Sequence, residues 1–305
     1  MQYGIYKFNF TSAVHFGDGM LNESGYTFPA DRLFSALYIE ALKYGLQNKL
    51  LSSAEEGRLC FSDCLPFVKE TYLLPKPIMY IAPQDQGDSV QKKFFKNLKY
   101  IPVSELKLFV SGKFSPNQNI MDGFGRSLQR NIAAVSLVGD TEPYYVGTWE
   151  YAEGNGLYVI VGYETSNEKD LADKLLKSLS YTGIGGKKSS GLGKFILEED
   201  TAEKSLSGLL QKNTPADKWM LLCGALPEDG ELEQVVDGAT YLLELRSGYV
   251  ASETHSPEQV RKKDIYVMAA GSCFRKRFSG GIYNVSKGGT HPVYRYEKAM
   301  FIGLQ

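Results

Sequence analysis

The stretch Gly183-Ile184-Gly185-Gly186-Lys187-Lys188-Ser189-Ser190-Gly191-Leu192-Gly193 contains five glycines, two lysines and two serines. Glycine tolerates positive φ and lets the backbone approach a ligand closely. Leucines recur on one helical face in residues 171–179, before this stretch, and residues 194–197 favour a strand after it. The glycine-rich loop therefore connects a helix to a strand.

That order is the reverse of the order in nucleotide-binding loops, which leave a strand and open a helix. Neither G-x-x-x-x-G-K-[ST] nor G-x-G-x-x-G can be aligned with the stretch. Ordering five glycines costs conformational entropy, which argues for a functional loop, and a flexible turn with solvated lysines is the alternative. The candidate phosphate-binding residues are Gly183, Gly185, Gly186, Lys187, Lys188, Ser189, Ser190, Gly191 and Gly193.

Hydrophobic patterns place this loop in a larger unit. The alternation of aromatic and polar side chains over residues 3–10 predicts a half-buried strand with Lys7 on its polar face. A helix is predicted to begin at Pro29, and residues 157–163 predict a strand before the leucine-faced helix. This order favours the α+β class and a ferredoxin-like βαββαβ domain.

A long insertion, about residues 85–150, interrupts that domain. Residues 90–100 predict a basic amphipathic helix, and residues 132–137 and 144–151 predict the two strands of a hairpin around a turn at 139–143. A projecting hairpin inside a compact domain is more often functional than structural. We therefore treat it as a candidate binding element.

The remainder of the chain predicts a second unit. Residues 200–214 are polar and rich in serine and lysine, which predicts a linker. Further strands are predicted at residues 219–226, 240–250, 265–270 and 293–304. We predict a first domain over residues 1–200, with the insertion and the loop at 183–193, and a second domain over residues 201–305.

The composition is that of an ordinary globular protein. The chain has 305 residues, of which 43% are hydrophobic and 23% charged, and its formal net charge is −1. No long apolar run and no leader-like N-terminus occur in the sequence, so we expect no membrane association and a cytoplasmic location.

The four cysteines do not form a disulfide framework, and we expect reduced, buried thiols. Cys60 and Cys64 as metal ligands are the alternative, but the histidines at 15, 255 and 291 are scattered along the sequence. We therefore expect neither a metal nor a cofactor.

Positive charge is concentrated in two regions, residues 86–133 and residues 261–298, where lysine and arginine outnumber aspartate and glutamate. Two basic regions on a nearly neutral chain favour a surface that binds a polyanion. Solvated faces that happen to be basic are the alternative for either region.

Four segments resemble the RAMP proteins of CRISPR interference complexes. They are FPADRLFSAL at 28–37, YLLPKP at 72–77, YTGIGGKKSSGLGKF at 181–195 and HPVYRY at 291–296. The glycine-rich segment alone is similar to RAMP proteins in general. The first and last segments narrow the resemblance to the type III-A (Csm) subunits that cap the 5′ end of the guide RNA. Ala30 stands where many of those relatives have serine.

This resemblance implies two RRM-like (ferredoxin-like) domains, a thumb hairpin and no catalysis by the subunit itself. It implies binding of the 5′ handle of the guide CRISPR RNA, docking of the large polymerase-like Csm subunit, and contact with an adjacent RAMP backbone subunit. Outside the loop, the expected RNA-binding residues are His15, Gly17, Arg32, Ser35, Arg126 and Arg130. The hairpin residues Tyr144, Tyr145 and Trp149 suit stacking on unpaired bases.

Two other classes of function stay open from the residues alone. RAMP relatives can cleave RNA with a histidine or an aspartate, so a metal-independent endoribonuclease that uses His15 is the first alternative. Asp18 and Asp31 are further catalytic candidates, although Asp31 also fits a helix first turn, where it compensates the helix dipole. The second alternative is an α+β protein that binds no RNA.

Overall fold

The computed structural model describes residues 1–81, 89–115, 118–134, 142–200, 204–210, 216–252, 254–256 and 258–304. Helices and antiparallel strands are both frequent, so the predicted α+β class is confirmed. Most of the helix in the described residues precedes residue 201.

The strands before residue 201 are β1 (Gln2–Phe10), β2 (Phe16–Asp18), β3 (Met20–Gly25), β4 (Leu59–Phe61), β5 (Leu65–Val68), β6 (Thr71–Pro75), β7 (Tyr100–Pro102), β8 (Gly125–Ala134), β9 (Glu142–Tyr151), β10 (Asn155–Tyr163) and β11 (Phe195–Asp200). The helices there are α1 (Ala30–Lys43), α2 (Gln47–Glu55), α3 (Ser89–Asn97), α4 (Leu106–Val110) and α5 (Ser166–Thr182). The later elements are α6 (Lys204–Leu210), β12 (Lys218–Leu221), α7 (Leu232–Val236), β13 (Leu243–Arg246), β14 (Ile265–Met268), β15 (Cys273–Phe274), β16 (Gly280–Asn284), β17 (Tyr294–Lys298) and β18 (Phe301–Leu304).

Strand β1 lies inside a seven-stranded antiparallel sheet of order β11-β1-β10-β5-β6-β7, in which β4 also pairs with β10. The strand predicted at residues 3–10 is confirmed, but its predicted polar face is wrong because Lys7 is buried. The Lys7 ammonium lies 5.3 Å and 5.2 Å from the ring centroids of Phe67 and Tyr72, and 3.7 Å from the Asp200 carboxylate. These neighbours offset the cost of burying its charge.

Helices α1 and α5 bury their leucine faces in the core beside this sheet. Helix α1 begins directly after Pro29, as predicted, but proline has no side-chain oxygen that could cap it. The Ala30 N–H instead donates to Asp63 Oδ1 at 2.8 Å, so a distant carboxyl group caps the helix. Helix α5 begins with a capping box formed by Thr165 and Glu168.

Strands β8 and β9 form a ten-residue hairpin that pairs from Gly125 opposite Tyr151 to Ala134 opposite Glu142. The strand predicted at 144–151 is confirmed, whereas the first strand begins at Gly125 and not at residue 132. Polar residues on both faces of β8 hide the alternation that would have revealed it. Residues 135–141, which include part of the predicted strand and turn, lie outside the described residues.

Trp149 anchors the base of this hairpin. Its ring lies 5.1 Å from that of Tyr26 and 6.4 Å from that of Phe124, and its backbone pairs with Val14. The expectation that Trp149 stacks on RNA is therefore wrong, because neighbouring aromatic rings already hold its side chain against the core.

After residue 215 the strands form three small antiparallel sheets, β15-β12-β18, β13-β14 and β16-β17. The strands predicted at 219–226, 240–250 and 293–304 are each shorter than expected. The last of these splits into β17 and β18, because the Ala299 N–H leaves the ladder and donates to the Ser279 carbonyl at 3.0 Å.

The linker predicted at 200–214 is wrong for residues 204–210. These residues form helix α6, in which Leu206 and Leu210 are buried in the main core. Residues 201–203 and 211–214 of the predicted linker lie outside the described residues.

One core joins the two parts of the chain. Met220, Leu222 and Ile302 pack in the same cluster as the leucines of α1 and α5. The buried Tyr296 hydroxyl accepts a hydrogen bond from the Phe61 N–H at 3.0 Å. The boundary predicted at 200/201 therefore crosses a continuous apolar interior.

Candidate nucleic-acid interface

His15 lies where the glycine-rich loop, hairpin strand β9 and the start of β2 meet. The side chain is buried, and its Nδ1 lies 2.6 Å from the Gly147 carbonyl oxygen. Because a carbonyl oxygen only accepts, Nδ1 is the donor of this hydrogen bond. The His15 carbonyl in turn accepts the Gly186 N–H at 2.9 Å.

The glycine-rich loop packs so closely on His15 that two of its positions exclude a side chain. A Cβ at Gly185, where φ is +90°, would lie 2.7 Å from the His15 carbonyl oxygen and 2.8 Å from Cδ1 of Phe16. A Cβ at Gly186 would lie 2.7 Å from Cδ2 of His15. Such contacts are far inside van der Waals distance. The positive φ predicted at Gly185 is confirmed, and the packing on His15 requires glycine at Gly186 as well.

The base of the loop is closed by backbone hydrogen bonds. The Ile184 N–H donates to the Gly193 carbonyl at 2.9 Å, and the Gly193 N–H donates to the Ala13 carbonyl at 2.9 Å. Gly183 and Gly193 both have positive φ, +88° and +75°. The loop is therefore a fixed structure, and the flexible-turn alternative is wrong for its base.

The tip of the loop presents lysines and backbone N–H groups. Lys187 has left-handed φ of 55° and ψ of 31°, and residues 188–190 form a 3₁₀ turn after it. Within the described chain the N–H groups of Lys188 and Ser189 have no hydrogen-bond acceptor. Ser189, Ser190 and Gly191 are exposed. A left-handed residue followed by helical residues turns successive N–H groups toward one point, which is an anion-binding arrangement.

Lys187 connects this tip to the hairpin. Its ammonium donates to the Tyr144 hydroxyl at 3.1 Å and lies 4.9 Å from the centroid of that ring. Burial lowers the pKa of Lys188, which forms no ion pair in the described part of the chain. Tyr144 thus holds Lys187, and neither lysine forms an ion pair with a carboxylate among the described residues.

Gly17 and Arg32 also belong to this site. Arg32 Nη1 donates to the Gly17 carbonyl at 2.9 Å, which ties the N-terminal turn of α1 to the β2–β3 hairpin. At Gly147 a Cβ would lie 2.4 Å from the Asn22 carbonyl oxygen, so strand β3 crosses directly over β9. We call His15, Gly17, Arg32, Gly147 and the loop 183–193 the His15 cluster.

Three of the expected RNA-binding residues lie outside the His15 cluster. Ser35 Oγ donates to the Asp31 carbonyl at 2.9 Å within helix α1. Arg126 pairs with Glu150 across the hairpin, where its Nε lies 2.8 Å from Oε2. Arg130 is exposed on β8 opposite Val146. Both arginines thus lie on the hairpin strand itself and not before it.

Sequence reasoning missed two parts of the cluster. Gly147 lies inside a strand, and a strand glycine often marks a close backbone approach, so this signal was present in the sequence. The β2–β3 hairpin was also missed, because its strands have only three and six residues and exposed side chains.

The basic region at 261–298 is not one solvated face. Arg295 and Lys298 are buried, the latter donating to the Glu55 carbonyl at 3.1 Å. Arg277 lies over the Trp219 ring at 4.4 Å. Lys262, by contrast, lies near the His15 cluster: burial, and the charges of Arg295 and Arg32, lower its pKa.

Of the other catalytic candidates, Asp18 ends strand β2 directly after Gly17 of the His15 cluster, whereas Asp31 forms an ion pair with Arg295. Asp31 is buried, and its Oδ2 accepts from Arg295 Nη1 at 2.7 Å. The four cysteines are free thiols, and burial raises the pKa of Cys60 to about 12. Among the described residues, no three His, Cys, Asp or Glu side chains are grouped as metal ligands would be. No described helix is long and apolar enough to cross a membrane.

Comparison with known proteins shows the family of this chain. The profile "CRISPR Csm4 C-terminal domain" matches residues 214–304. A Mycobacterium tuberculosis protein named "CRISPR system Cms protein Csm4" is 38% identical over 307 residues, which cover 98% of this chain and 97% of that protein. The chain belongs to the Csm4 family. The resemblance to type III-A RAMP subunits is thereby confirmed at the level of the family.

Two solved structures share the Csm4 fold. The Csm3–Csm4 subcomplex of the type III-A CRISPR-Cas interference complex contains a chain with a TM-score of 0.66 and 17% identity, and both chains are covered fully, at 100%. The Csm1–Csm4 cassette in complex with cA4 gives 0.61 and 18%, over 99% of this chain and 98% of that one. At these identities the likeness concerns the fold.

Proposed function

We propose that this chain is a non-catalytic, RNA-binding subunit of a type III-A CRISPR ribonucleoprotein that acts in antiviral defence in the cytoplasm. It would anchor the 5′ handle of the guide RNA at the His15 cluster. The glycine-rich loop supports this proposal best. At its tip, beside the hairpin, the N–H groups of Lys188 and Ser189 have no acceptor and the lysines Lys187 and Lys188 form no ion pair among the described residues. Such groups bind the phosphates of a bent single strand without reading its sequence.

The finer fold features belong to the same proposal. We infer that β1, α1, the β4–β5 segment, β10, α5 and β11 form a ferredoxin-like domain, since β1 lies between β11 and β10 as in that topology. The β8–β9 hairpin would be the thumb. Its exposed Tyr145 remains suited to stacking on a base, as does the outer part of the Tyr144 ring.

The proposed protein partners are the large polymerase-like Csm subunit and an adjacent RAMP backbone subunit. Proteins of the same fold assemble with Csm1 and with Csm3. Large apolar side chains exposed on and beside β13 support a protein contact, because monomers rarely leave such residues together in solvent. They are Tyr241, Leu242, Leu243, Leu245 and Tyr266.

The geometry of His15 supports a role other than catalysis. Its Nδ1 is held by Gly147, its ring is covered by Gly186, and its side chain is buried. A general base must reach the 2′-hydroxyl proton of a bound strand within hydrogen-bond distance. A ring used to join the loop to the hairpin fits a scaffold better than a nuclease.

The test of this proposal is the salt dependence of RNA binding by the full chain. Guide RNA extracted from the native complex is titrated against wild type and against Lys187→Ala with Lys188→Ala. The slope of log K against log salt should flatten by about 0.7 for each phosphate of the single strand that the variant no longer neutralises. The control, Lys49→Ala with Lys177→Ala, makes the same charge change at exposed positions on α2 and α5 and should keep the slope.

The same samples show whether the chain cleaves RNA. Intact RNA on a denaturing gel is expected for wild type. Equal slopes for the two double variants would contradict phosphate binding by the loop. Cleavage that disappears in His15→Ala would establish the nuclease instead.

A further inference from the structure

A cavity lies in the C-terminal part of the chain, outside the His15 cluster. It has a volume of about 290 Å³ and opens to solvent. Its wall includes Val250, Ser252, His255, Ser256, Glu258 and Val260. Ligand pockets begin at about 300 Å³, so this one has room for a single small ring system.

His255 is the unusual member of this wall. Its side chain is only 1% exposed, yet neither ring nitrogen has a hydrogen-bond partner among the described residues. A neutral imidazole offers one donor and one acceptor, and leaving such groups buried without partners is costly. Buried polar groups in folded proteins are nearly always paired, so a ligand is the natural partner.

The surroundings hold His255 in place without pairing its ring nitrogens. Its carbonyl accepts the Thr290 N–H at 3.1 Å, and its ring lies 4.8 Å from that of His291. His291 itself is paired, with Nε2 at 2.9 Å from Ser252 Oγ and Nδ1 at 2.9 Å from the Pro292 carbonyl. A Cβ at Gly289 would lie 2.1 Å from Cε1 of His255, so that glycine leaves space for the ring.

We propose that this cavity binds a nucleobase that carries an exocyclic amino group. Val250 and Val260 are neighbours across a backbone hydrogen bond and together supply one apolar surface for a face of the base, and His255 supplies a hydrogen bond to its edge. The Glu258 carboxylate accepts from an amino group, as acidic side chains do in base recognition. The same carboxylate would repel a phosphate inside the cavity, so the phosphate stays outside.

Basic residues follow the cavity wall in the chain. Arg261, Lys262 and Lys263 come directly after the wall residue Val260, and Arg261 is paired with Asp264 at 3.2 Å, which leaves the two lysines as the cations for a phosphate. Backbone hydrogen bonds from Val250 N–H to the Val260 carbonyl and from Lys262 N–H to the Gly248 carbonyl, both 2.9 Å, continue the cavity wall into this rim. An apolar slot with a polar end and a cationic rim matches the three parts of a nucleotide.

The base could belong to a bound RNA strand or to a free nucleotide, and both present the same chemistry. The experiment measures binding of AMP, CMP, GMP and UMP to the full chain by calorimetry, and of single-stranded A, C and U homopolymers by fluorescence. AMP, CMP or GMP should bind about tenfold more tightly than UMP, the only one of the four that lacks an amino group, since one well-made base contact contributes this much. Glu258→Ala changes an exposed side chain and should remove that preference.

Substitutions at two neighbouring glycines test the role of His255, one as the variant and the other as its control. Gly289→Ala and Gly288→Ala place alanine at similar positive φ, +87° and +83°, but only the former meets the imidazole. Gly289→Ala and His255→Ala should each weaken binding about tenfold, with Gly288→Ala near wild type. An effect on mononucleotides identifies a free nucleotide, and an effect on homopolymers alone identifies a strand base.

Equal binding of UMP and AMP, no binding of any probe, or full binding by Gly289→Ala would each overturn the proposal. It goes beyond guide anchoring at the His15 cluster. The Lys187→Ala, Lys188→Ala variant should therefore keep wild-type mononucleotide binding, which distinguishes failure of one proposal from failure of the other.

Discussion

The backbone of His15 lies where a side chain at position 185 would be, which explains why the loop has glycine there. The His15 carbonyl lies 2.7 Å from where a Cβ of Gly185 would be, while nothing lies within 4 Å of a Cβ at Gly191. Both glycines have positive φ, +90° and +81°. Gly185 is therefore required by backbone strain and by packing, whereas Gly191 is required by strain alone.

Alanine at these two positions separates the two causes. Each substitution should lose about 1–2 kcal/mol of stability from the left-handed backbone. Gly185→Ala must also displace His15, so its guide-RNA affinity should fall about tenfold below that of Gly191→Ala, which corresponds to about 1.4 kcal/mol. RNA titration at fixed salt, with thermal melting of each variant, checks this. Equal affinities would show that His15 packing does not position the loop.

At the scale of elements, the β8–β9 hairpin has a packed base and an exposed outer part. Val146 and Thr148 are buried, and Gly147 lies against strand β3. Tyr145, one residue further out, is 58% exposed. The hairpin is therefore packed on the fold up to the register pair of Asn131 and Tyr145, and the Tyr145 side chain is available to a ligand.

Shortening the hairpin at that register tests its proposed role as a thumb. Residues 132–144 are replaced by Asn-Gly, which favours a tight turn between paired strands. The melting temperature should stay close to wild type because the packed base is retained, whereas guide retention in the purified complex should fall. Tyr144→Phe is the control that removes only the hydroxyl contact with Lys187 and keeps the ring. Full RNA content in the shortened variant would contradict the thumb assignment.

At the scale of the whole molecule, buried charges join the N-terminal and C-terminal parts. The buried pair of Asp31 and Arg295 links helix α1 to strand β17. Burial raises the pKa of Glu297, whose two carboxylate oxygens are unpartnered among the described residues. Burial also raises the pKa of Asp63 to about 7, against the opposing effect of Arg246. Protonation of Glu297 and Asp63 therefore stabilises the contact between the N-terminal and C-terminal parts.

The stability of the protein should accordingly depend on pH through Asp63. An unfolded aspartate has a pKa of about 3.9. Between about pH 4 and pH 7 the folded chain keeps a proton that the unfolded chain releases, so the free energy of unfolding falls as pH rises through this window. Asp63→Asn keeps an acceptor for the Ala30 N–H. The variant should match wild type near pH 4 and exceed its stability at pH 8.

Urea unfolding from pH 4 to pH 8 measures this difference. The comparison of Asp63→Asn with wild type removes the contributions of groups that titrate alike in both proteins, whereas the Asp63 charge also raises the pKa of Glu297, so the difference includes that coupling. Asp122→Asn, at an exposed position, changes the same charge and should show no such trend. A difference between Asp63→Asn and wild type that is constant with pH would refute the effect.

Local patterns in the sequence were sufficient for the elements with strong periodicity or strict steric needs. Strand β1, the start of α1 at Pro29, the leucine face of α5 and the glycines of the loop are properties of short segments. The family resemblance also came from short segments, and the match over 98% of the chain agrees with it. Short segments suffice here because side-chain period and positive φ are local constraints.

Only the tertiary structure decided which residues meet. Lys7 is buried because strands lie on both sides of β1, and Trp149 is held by Tyr26 and Phe124 from distant segments. The cap on α1 comes from Asp63, and the orphaned His255 ring becomes visible only when its surroundings are known. Contacts between segments far apart in sequence depend on the folded structure. Packing and desolvation act through space, so they leave no periodic signal in the sequence.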